Sequence, residues 1–226
     1  MENPSSIIPV VIFLGPPGSG KSTHGKRLAR EFDWHYLPVG GLVKAFCADE
    51  HHKDACSEIS RKYLAGIPQS DDVVLSLAEK AFAELPPIKG LILDAFPLSI
   101  GQAEAFEAMR ERFGFARPKV IFLHASEQIV TTRITERASC PSCGASYNPH
   151  DTAYQTMVCA QCGQSLVHRK DDTPAVVHHR YDEYRVRLAP VEEYYRGQGV
   201  LTELSGEGHL DTVHAEIRRI LDLMIA

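Results

Sequence analysis

The residues best suited to chemistry lie near the start of the chain, in a glycine-rich turn over residues 15–22. The turn reads G-P-P-G-S-G-K-S, and the apolar run before it, residues 10–14, predicts a buried strand. This spacing is typical of the phosphate-binding loop, whose backbone N–H groups surround phosphate oxygens while the following helix directs its positive end at them. Lys21 would contact the β- and γ-phosphates, and the Ser22 hydroxyl would hold Mg²⁺. The turn therefore predicts a nucleoside triphosphate site.

Two pairs of cysteines in the second half of the chain share one spacing. They are Cys140, Cys143, Cys159 and Cys162, forming two C-x₂-C-G units separated by fifteen residues. Two such units offer four thiolates to one ion and leave no open position for water, which is typical of structural zinc. Two disulfides or a redox C-x-x-C pair are the alternative, and the doubled spacing favours zinc. We interpret Cys47 and Cys56, which lack such partners, as buried or inert thiols.

The composition is that of an ordinary globular protein. The chain has 226 residues, 44% of them hydrophobic and 23% charged, with a formal net charge of −5. This acidic balance, without a run dense in Lys and Arg, argues against nucleic acid as a partner. The sequence has no recognisable transmembrane stretch or signal peptide. We therefore expect a cytoplasmic monomer with no membrane partner, in a reducing compartment where paired cysteines bind metal.

Apolar strands alternate with amphipathic helices along the chain, and these elements must position the candidate residues. We predict five strands, at 10–14, 35–37, 90–94, 119–124 and 200–203. We predict helices after the phosphate loop, over 100–113, from Ser126 through Arg137, from Thr173 onward and near the C-terminal end from about 210. The alternation indicates an α/β fold of P-loop NTPase type, with a parallel five-stranded sheet flanked by helices.

Two stretches interrupt the alternation, and we interpret both as insertions at the carboxyl end of the sheet, where α/β folds bind ligands. Residues from about 39 to 80 predict helices with polar connections. Residues from about 138 to 172 are rich in Cys, Ser, Asn and Gly and have no helical period. We expect one domain, with a core of residues 1–38, 81–137 and 173–226.

The order of these features resembles the adenylate kinases, a branch of the nucleoside monophosphate kinases. The resemblance covers nearly the whole chain and includes L-D-A-F-P at residues 93–97 and R-K-D-D at residues 169–172. It implies that ATP with Mg²⁺ is the phosphoryl donor and that the first insertion receives a nucleoside monophosphate, with AMP favoured. It also implies that the cysteines form a zinc-bearing lid. The implied reaction is ATP + AMP ⇌ 2 ADP.

The donor side matches the family's pattern. The resemblance implies that the phosphates of ATP are cradled by Gly18, Ser19, Gly20, Lys21, Ser22 and Thr23. It implies that Asp94 orients Mg²⁺ through its water shell, that Arg133 stacks near the adenine and that Arg137 meets phosphate. Arg169 and Arg180 would clamp the transferring phosphoryl group, whose charge suits guanidinium groups. Taken singly, each arginine is better interpreted as a solvated surface charge, and it is the four matching positions together that favour a functional role.

The acceptor side departs from the pattern at three positions. Val39 stands in place of a Ser or Thr hydroxyl that meets AMP, Lys44 in place of a phosphate-binding arginine, and Leu98 in place of the arginine of G-F-P-R. Gln102, which reads the adenine edge in the family, is retained. A charge-assisted bond to phosphate contributes about 1.5–3 kcal/mol, so these changes predict AMP use weakened on the order of 10²–10⁴.

Three functions are compatible with these observations. The first is adenylate-kinase-type transfer to AMP. The second, motivated by the three acceptor-side replacements, is a P-loop small-molecule kinase with an acceptor other than AMP. The third is an ATP-binding protein of the same fold with weak or no transfer. Lys53, Arg61 and Lys62 in the first insertion are candidate compensating cations, or else one solvated helix face.

Overall fold

A computed structural model of the chain describes residues 7–48, 59, 61 and 69–225. In chain order its strands are β1 (Val10–Leu14), β2 (His35–Pro38), β3 (Leu91–Asp94), β4 (Lys119–His124), β5 (Ala138–Ser139), β6 (Ser146–Tyr147) and β7 (Leu201–Ser205). The helices among the described residues are α1 (Lys21–Phe32), α2 (Val39–Ala48), α3 (Asp71–Ala83), α4 (Ile100–Arg112), α5 (Glu127–Glu136), α6 (Thr152–Thr156), α7 (Pro174–Gly197) and α8 (Leu210–Ile225).

Five strands form a parallel sheet in the order β2-β3-β1-β4-β7, while β5 and β6 form a separate antiparallel ribbon. The central strand is β1, which runs into the phosphate loop. Phe13 near its end pairs with Asp94 at the end of β3. Because the strands are parallel, the phosphate loop and Asp94 emerge side by side at the carboxyl edge of the sheet, where ligands of such folds bind.

Alternate strand residues fill two apolar layers, one on each face of the sheet. Ile12 faces a layer that includes Phe106 of α4, and Phe13 faces the opposite layer with Leu28 of α1 and Ile217 of α8. All five of these side chains are fully buried. Helices therefore cover both faces, as the near-continuous apolar character of a parallel strand requires.

The predicted strands and helices are present, with small shifts at their ends. The third strand begins at Leu91, the last runs over residues 201–205, and α5 stops at Glu136. Thr173 caps α7, and its hydroxyl accepts a hydrogen bond from the backbone N–H of Val176 at 3.5 Å. No helix in the described part of the chain is both long enough and apolar enough to span a bilayer.

The sequence predicts no helix within residues 138–172, and the structure corrects this, because α6 lies there. Its five residues are too few to produce a helical period in the sequence. Tyr154 and Met157 pack against a small buried cluster that includes Cys140 and Cys159, so tertiary contacts stabilise this single turn. Much of the first insertion, with Cys56, lies outside the described residues.

Two histidines stack between α1 and α8. The ring centroids of His24 and His214 are 5.6 Å apart with the planes 13° from parallel, and their Nδ1 atoms are 3.4 Å apart. Both side chains are buried. Burial, then the neighbouring His214, Arg27 and Arg133, lowers the pKa of His24 to about 4. His24 is therefore neutral in the folded protein at pH values where the unfolded chain is protonated.

This stacking predicts a pH dependence of stability. Between pH 6.5 and about 4 the unfolded chain binds a proton at residue 24 that the folded chain excludes, so stability falls as the pH drops through this window. The slope of the unfolding free energy that this group contributes is at most about 1.4 kcal/mol per pH unit.

Denaturant titrations at neutral and mildly acidic pH should show a smaller loss of unfolding free energy in His24→Gln than in the wild type. His209→Gln, at an exposed histidine, serves as the control. An unchanged pH slope in His24→Gln would contradict the expectation.

Candidate active site

The phosphate loop connects β1 to α1 in a tight turn. Gly15 has φ +132°, and a Cβ there would lie 2.2 Å from the carbonyl oxygen of Leu123 in β4, so the sheet requires glycine at this point. The Lys21 ammonium reaches back into the turn and donates to the carbonyl oxygens of Gly15 at 2.6 Å and Pro16 at 2.7 Å. The loop therefore holds a cation at its centre.

The environment of Lys21 suits an anionic ligand. Its side chain is buried, and burial lowers the pKa of Lys21 to about 8, while the nearby Asp94 opposes the shift. The ammonium also lies 5.3 Å from the ring centroid of Tyr184 in α7. Phosphate oxygens beside this group would favour its charged form, because they add negative charge in a site of low dielectric constant.

Asp94 faces the phosphate loop from the end of β3. Its Oδ2 accepts hydrogen bonds from the Ser22 hydroxyl at 2.5 Å and from the Tyr36 hydroxyl. Burial, followed by the charge of Asp94, raises the pKa of Tyr36, so Tyr36 remains protonated and donates. The buried Asp94 Oδ1 has no hydrogen-bond partner among the described residues. A hydroxyl and a carboxylate are oxygen donors that suit Mg²⁺, directly or through water, so these residues fit that ion.

Several unpaired buried polar atoms lie around the loop. Within the described residues five buried side-chain polar atoms lack a hydrogen-bond partner, and three of them, Ser19 Oγ, Asp94 Oδ1 and the Tyr184 hydroxyl, are near the loop. The other two are Glu107 Oε1 of α4 and the Tyr195 hydroxyl of α7. An unsatisfied buried group costs about 1–3 kcal/mol, and such groups in proteins commonly meet a ligand, an ion or water. The position of the three near the loop marks this edge of the sheet as a binding site.

A cavity of about 320 Å³ opens beside the loop. One wall is apolar and includes Val39 and Val43 of α2 together with Leu98. Three arginines, Arg169, Arg180 and Arg187, also line the cavity. The volume is that of a site for a small molecule, and the arginines select for an anionic one.

Two adjacent aspartates hold three of the predicted arginines. Asp172, with only 3% of its side chain exposed, accepts two hydrogen bonds from Arg137, at 2.7 and 2.9 Å. Asp171 accepts from Arg169 at 2.7 Å and from Arg180 at 2.9 Å. Burial acts to raise the pKa of Asp171, but the hydrogen bonds from Arg169 and Arg180 outweigh it and hold that pKa well below its usual range. The aspartates of the R-K-D-D segment therefore gather these arginines at one place.

Arg133 lies apart from these three, beside the phosphate loop. Its Nη1 donates to the carbonyl oxygen of Gly18 at 3.2 Å, and the side chain is partly buried. It therefore flanks the loop from α5.

Gln102 lines the cavity, and its amide is engaged at both ends. Nε2 donates to Asp71 Oδ1 at 2.7 Å, and Oε1 accepts from the Leu98 backbone N–H at 2.8 Å. Asp71 Oδ2 also accepts from the Ser99 hydroxyl at 2.6 Å. These contacts fix the amide at the cavity wall.

Four acceptor-side cations were predicted from the sequence, and the structure describes the side chain of one of them, Arg61. Three lie outside the described part of the chain: the side chain of Lys44, and residues Lys53 and Lys62. Arg61 is exposed. Val39 begins α2 and is buried at the cavity wall.

Sequence patterns alone did not single out Tyr36, Asp71, Tyr184 or Arg187. The first two act through contacts with residues distant in the chain. Helical spacing could have found Arg187, because it follows Arg180 by seven residues and so lies on the same face of α7.

The four predicted metal ligands converge in the segment after α5. Their Sγ atoms all lie within 4.8 Å of one another, with Cys140 and Cys162 at 3.4 Å and Cys143 and Cys159 at 3.5 Å. A disulfide would need about 2.05 Å, whereas sulfurs around tetrahedral zinc at about 2.3 Å are about 3.8 Å apart. The donor set therefore fits one tetrahedral ion.

The two cysteine turns repeat one backbone geometry. Gly144 and Gly163 both have positive φ, +71° and +73°, and their N–H groups donate to the carbonyls of Cys140 at 3.0 Å and Cys159 at 2.8 Å. Each glycine thus lets the chain turn back so that both thiols of its pair point to the same side.

A buried lysine in a glycine loop, beside a small cavity lined by three arginines, is an arrangement that binds and transfers phosphoryl groups. On the parallel sheet described above, it defines a P-loop phosphotransferase. A family model described as adenylate kinase matches residues 13–200.

Curated relatives agree over nearly their whole length. A protein of Kosmotoga olearia named adenylate kinase is 34% identical over 214 residues, 94% of this chain and 98% of its own. A protein of Dehalococcoides mccartyi, also named adenylate kinase, is 34% identical over 92% of this chain and 95% of its own. A third adenylate kinase, of Archaeoglobus fulgidus, is 33% identical over 94% of this chain and 97% of its own. The chain belongs to the adenylate kinase family and is a nucleoside monophosphate kinase.

Proposed function

We propose that the protein transfers the γ-phosphoryl group of ATP to AMP and forms two molecules of ADP. The observation that carries the proposal is a cavity lined both by Pro17 of the phosphate loop and by three arginines, Arg169, Arg180 and Arg187. The names of the relatives agree with it. In this reaction an AMP phosphate oxygen forms the new bond to the γ-phosphorus, the bond from that phosphorus to the β–γ bridging oxygen breaks, and ADP leaves.

The phosphate loop binds the donor in this proposal. Backbone N–H groups over residues 18–23 surround the β- and γ-phosphates, and Lys21 exchanges its carbonyl contacts for phosphate oxygens. Arg133 flanks the adenine end of ATP. Mg²⁺ would neutralise charge on the phosphates, and Ser22 and Asp94 would hold it, with Tyr36 fixing the carboxylate.

Arginines supply the stabilisation of transfer. Arg137, Arg169 and Arg180 turn from Asp171 and Asp172 toward the equatorial oxygens of the transferring group, where the charge is spread. No protein base is required, because the attacking phosphate oxygen of AMP is already ionised at neutral pH.

The same proposal assigns roles to the two insertions. Residues 39–80 receive AMP, and residues 138–172 act as a lid over the core of 1–38, 81–137 and 173–226. Closure would exclude water as a competing acceptor. A monomer in the reducing cytoplasm fits thiolate ligation in the lid.

A structural zinc ion in the lid predicts two linked effects. Replacing Cys143 and Cys162 by Ser should remove one equivalent of zinc and lower the melting temperature, because four thiolates to one ion stabilise a segment with a small core. Metal analysis and thermal melts of the purified protein measure both. Cys47→Ser should keep the zinc and serves as the control. A double variant with wild-type zinc content would contradict the assignment.

The reverse reaction tests the proposed function. With Mg²⁺ and ADP as the sole nucleotide, the protein should generate ATP and AMP in equal amounts, measured by ion-exchange chromatography. Neither an ATPase nor a kinase for a non-nucleotide acceptor produces ATP from ADP alone. Failure to form ATP at millimolar ADP would overturn the proposal.

A further inference from the structure

The acceptor cavity holds an arginine that the acceptor-side sequence motifs do not predict. Leu98 leaves one position of its wall without a cation, yet Arg187 of α7 lines the same cavity. We propose that Arg187 binds the phosphate of the acceptor nucleotide and supplies the positive charge that Leu98 cannot. This inference rests on the proposed transfer to AMP.

The position of Arg187 on its helix supports this role. Arg180, Tyr184 and Arg187 follow one another at helical spacing, so all three face the cavity. Seven residues of helix separate the two arginines by about 10 Å along the axis. Two guanidinium groups can thus approach an anion in the cavity from different directions. Asp171 already binds Arg180, whereas Arg187 lies further along the helix.

The contact that Arg187 makes is weak enough to exchange for phosphate. Its Nη2 lies 3.4 Å from Asp71 Oδ1, with 26% of the Arg187 side chain and 36% of the Asp71 side chain exposed. Asp71 has closer donors in Gln102 at 2.7 Å and Ser99 at 2.6 Å. Asp71 therefore keeps two neutral partners when Arg187 moves, and partly exposed pairs of this kind contribute little stability.

The surroundings favour binding of an anion over solvation of the guanidinium group. Val39, Leu98 and Leu188, which follows Arg187 in α7, contribute apolar lining to the cavity. Glu183, one turn before Arg187, also lines the cavity, and Asp71 is the carboxylate that contacts the arginine. A phosphate dianion offers a bidentate partner, which the single contact with Asp71 at 3.4 Å does not provide.

The alternative is that Arg187 only steadies Asp71 and Gln102. The two roles differ in which part of AMP they affect, because a phosphate contact is absent when adenosine replaces AMP. The test is titration calorimetry with AMP and with adenosine on the full chain, alongside steady-state kinetics. Arg187→Gln is compared with Arg185→Gln, an exposed arginine on the same helix that does not line the cavity.

Arg187→Gln should weaken AMP binding and raise its KM by about 10- to 100-fold, the loss of one charge-assisted bond. Adenosine affinity, kcat and the KM for ATP should each change by less than about threefold. Leu98→Arg in the Arg187→Gln background should restore AMP binding. Equal losses for AMP and adenosine, or no loss for either, would overturn the inference.

The outcomes also separate this inference from the proposed function. Wild-type protein that binds AMP through Arg187 without turning it over overturns the proposed function and leaves the inference standing. Turnover of AMP that is unaffected by Arg187→Gln overturns the inference alone. Wild-type protein that neither binds AMP nor turns it over overturns both.

Discussion

Replacing Lys21 by Met should lower kcat for phosphoryl transfer by about 10³-fold, the effect of removing a preorganised charge from the transition state. The ammonium stands inside the phosphate loop, held by two backbone carbonyls and next to Asp94. Methionine has a similar length but no charge, so it cannot stabilise charge on the β- and γ-phosphates. Steady-state rates with saturating ATP and AMP measure the loss.

Stability separates this effect from unfolding. Burial lowers the pKa of Lys21 to about 8, so the folded protein holds its charged form at a cost that offsets the hydrogen bonds to the two backbone carbonyls, and Lys21→Met should leave the melting temperature close to that of the wild type. Lys89→Met is the matched control, since Lys89 pairs with Asp33 on the exposed surface at 2.6 Å. A Lys21→Met protein with kcat within about tenfold of the wild type would show that the loop lysine is not the principal donor-side cation.

The second large effect is expected at Arg180. Arg180→Gln should lower kcat by about 10²–10³-fold, because glutamine can donate a hydrogen bond but not a charge to the transferring group. The KM for ATP should change much less, since the phosphate loop binds the donor. The variant leaves Asp171 with Arg169, so the fold should persist.

Arg185→Gln again provides the control, as an exposed arginine of the same helix. Its rates should match those of the wild type. Equal kcat values for Arg180→Gln and Arg185→Gln would place the transferring phosphoryl group away from the arginine wall of the cavity.

The elements of the donor side could be located from the sequence because local motifs define them. The phosphate loop needs a fixed order of residue types within eight positions, and the cysteine turns need two pairs with a glycine after each, so spacing alone predicted where they lie. The strand before the loop and Asp94 at the end of β3 followed from apolar runs. Parallel pairing of Phe13 with Asp94 then brings the two together, as a sheet of this order requires.

The acceptor side depends on contacts that spacing does not encode. Asp71 and Arg187 are 116 positions apart and meet because α3 and α7 border the same cavity. The family pattern shows that Leu98 stands where an arginine is expected. It does not show that Arg187, on α7, lines the same cavity. The pairing of Asp171 and Asp172 with three arginines likewise could not be predicted from spacing. One of these arginines, Arg137, lies before the cysteine segment, and the fold brings it to Asp172. The helix α6, with five residues, was too short to produce a helical periodicity of apolar residues in the sequence.

The fate of the γ-phosphoryl group is the most direct test of transfer to AMP. The protein is given ATP labelled with ³²P in the γ position together with unlabelled AMP and Mg²⁺, and the nucleotides are separated by chromatography. We predict that label enters the β-phosphate of ADP at the rate at which AMP disappears. Label that appears only in inorganic phosphate, or that enters another nucleotide or an alcohol in preference to AMP, would contradict it.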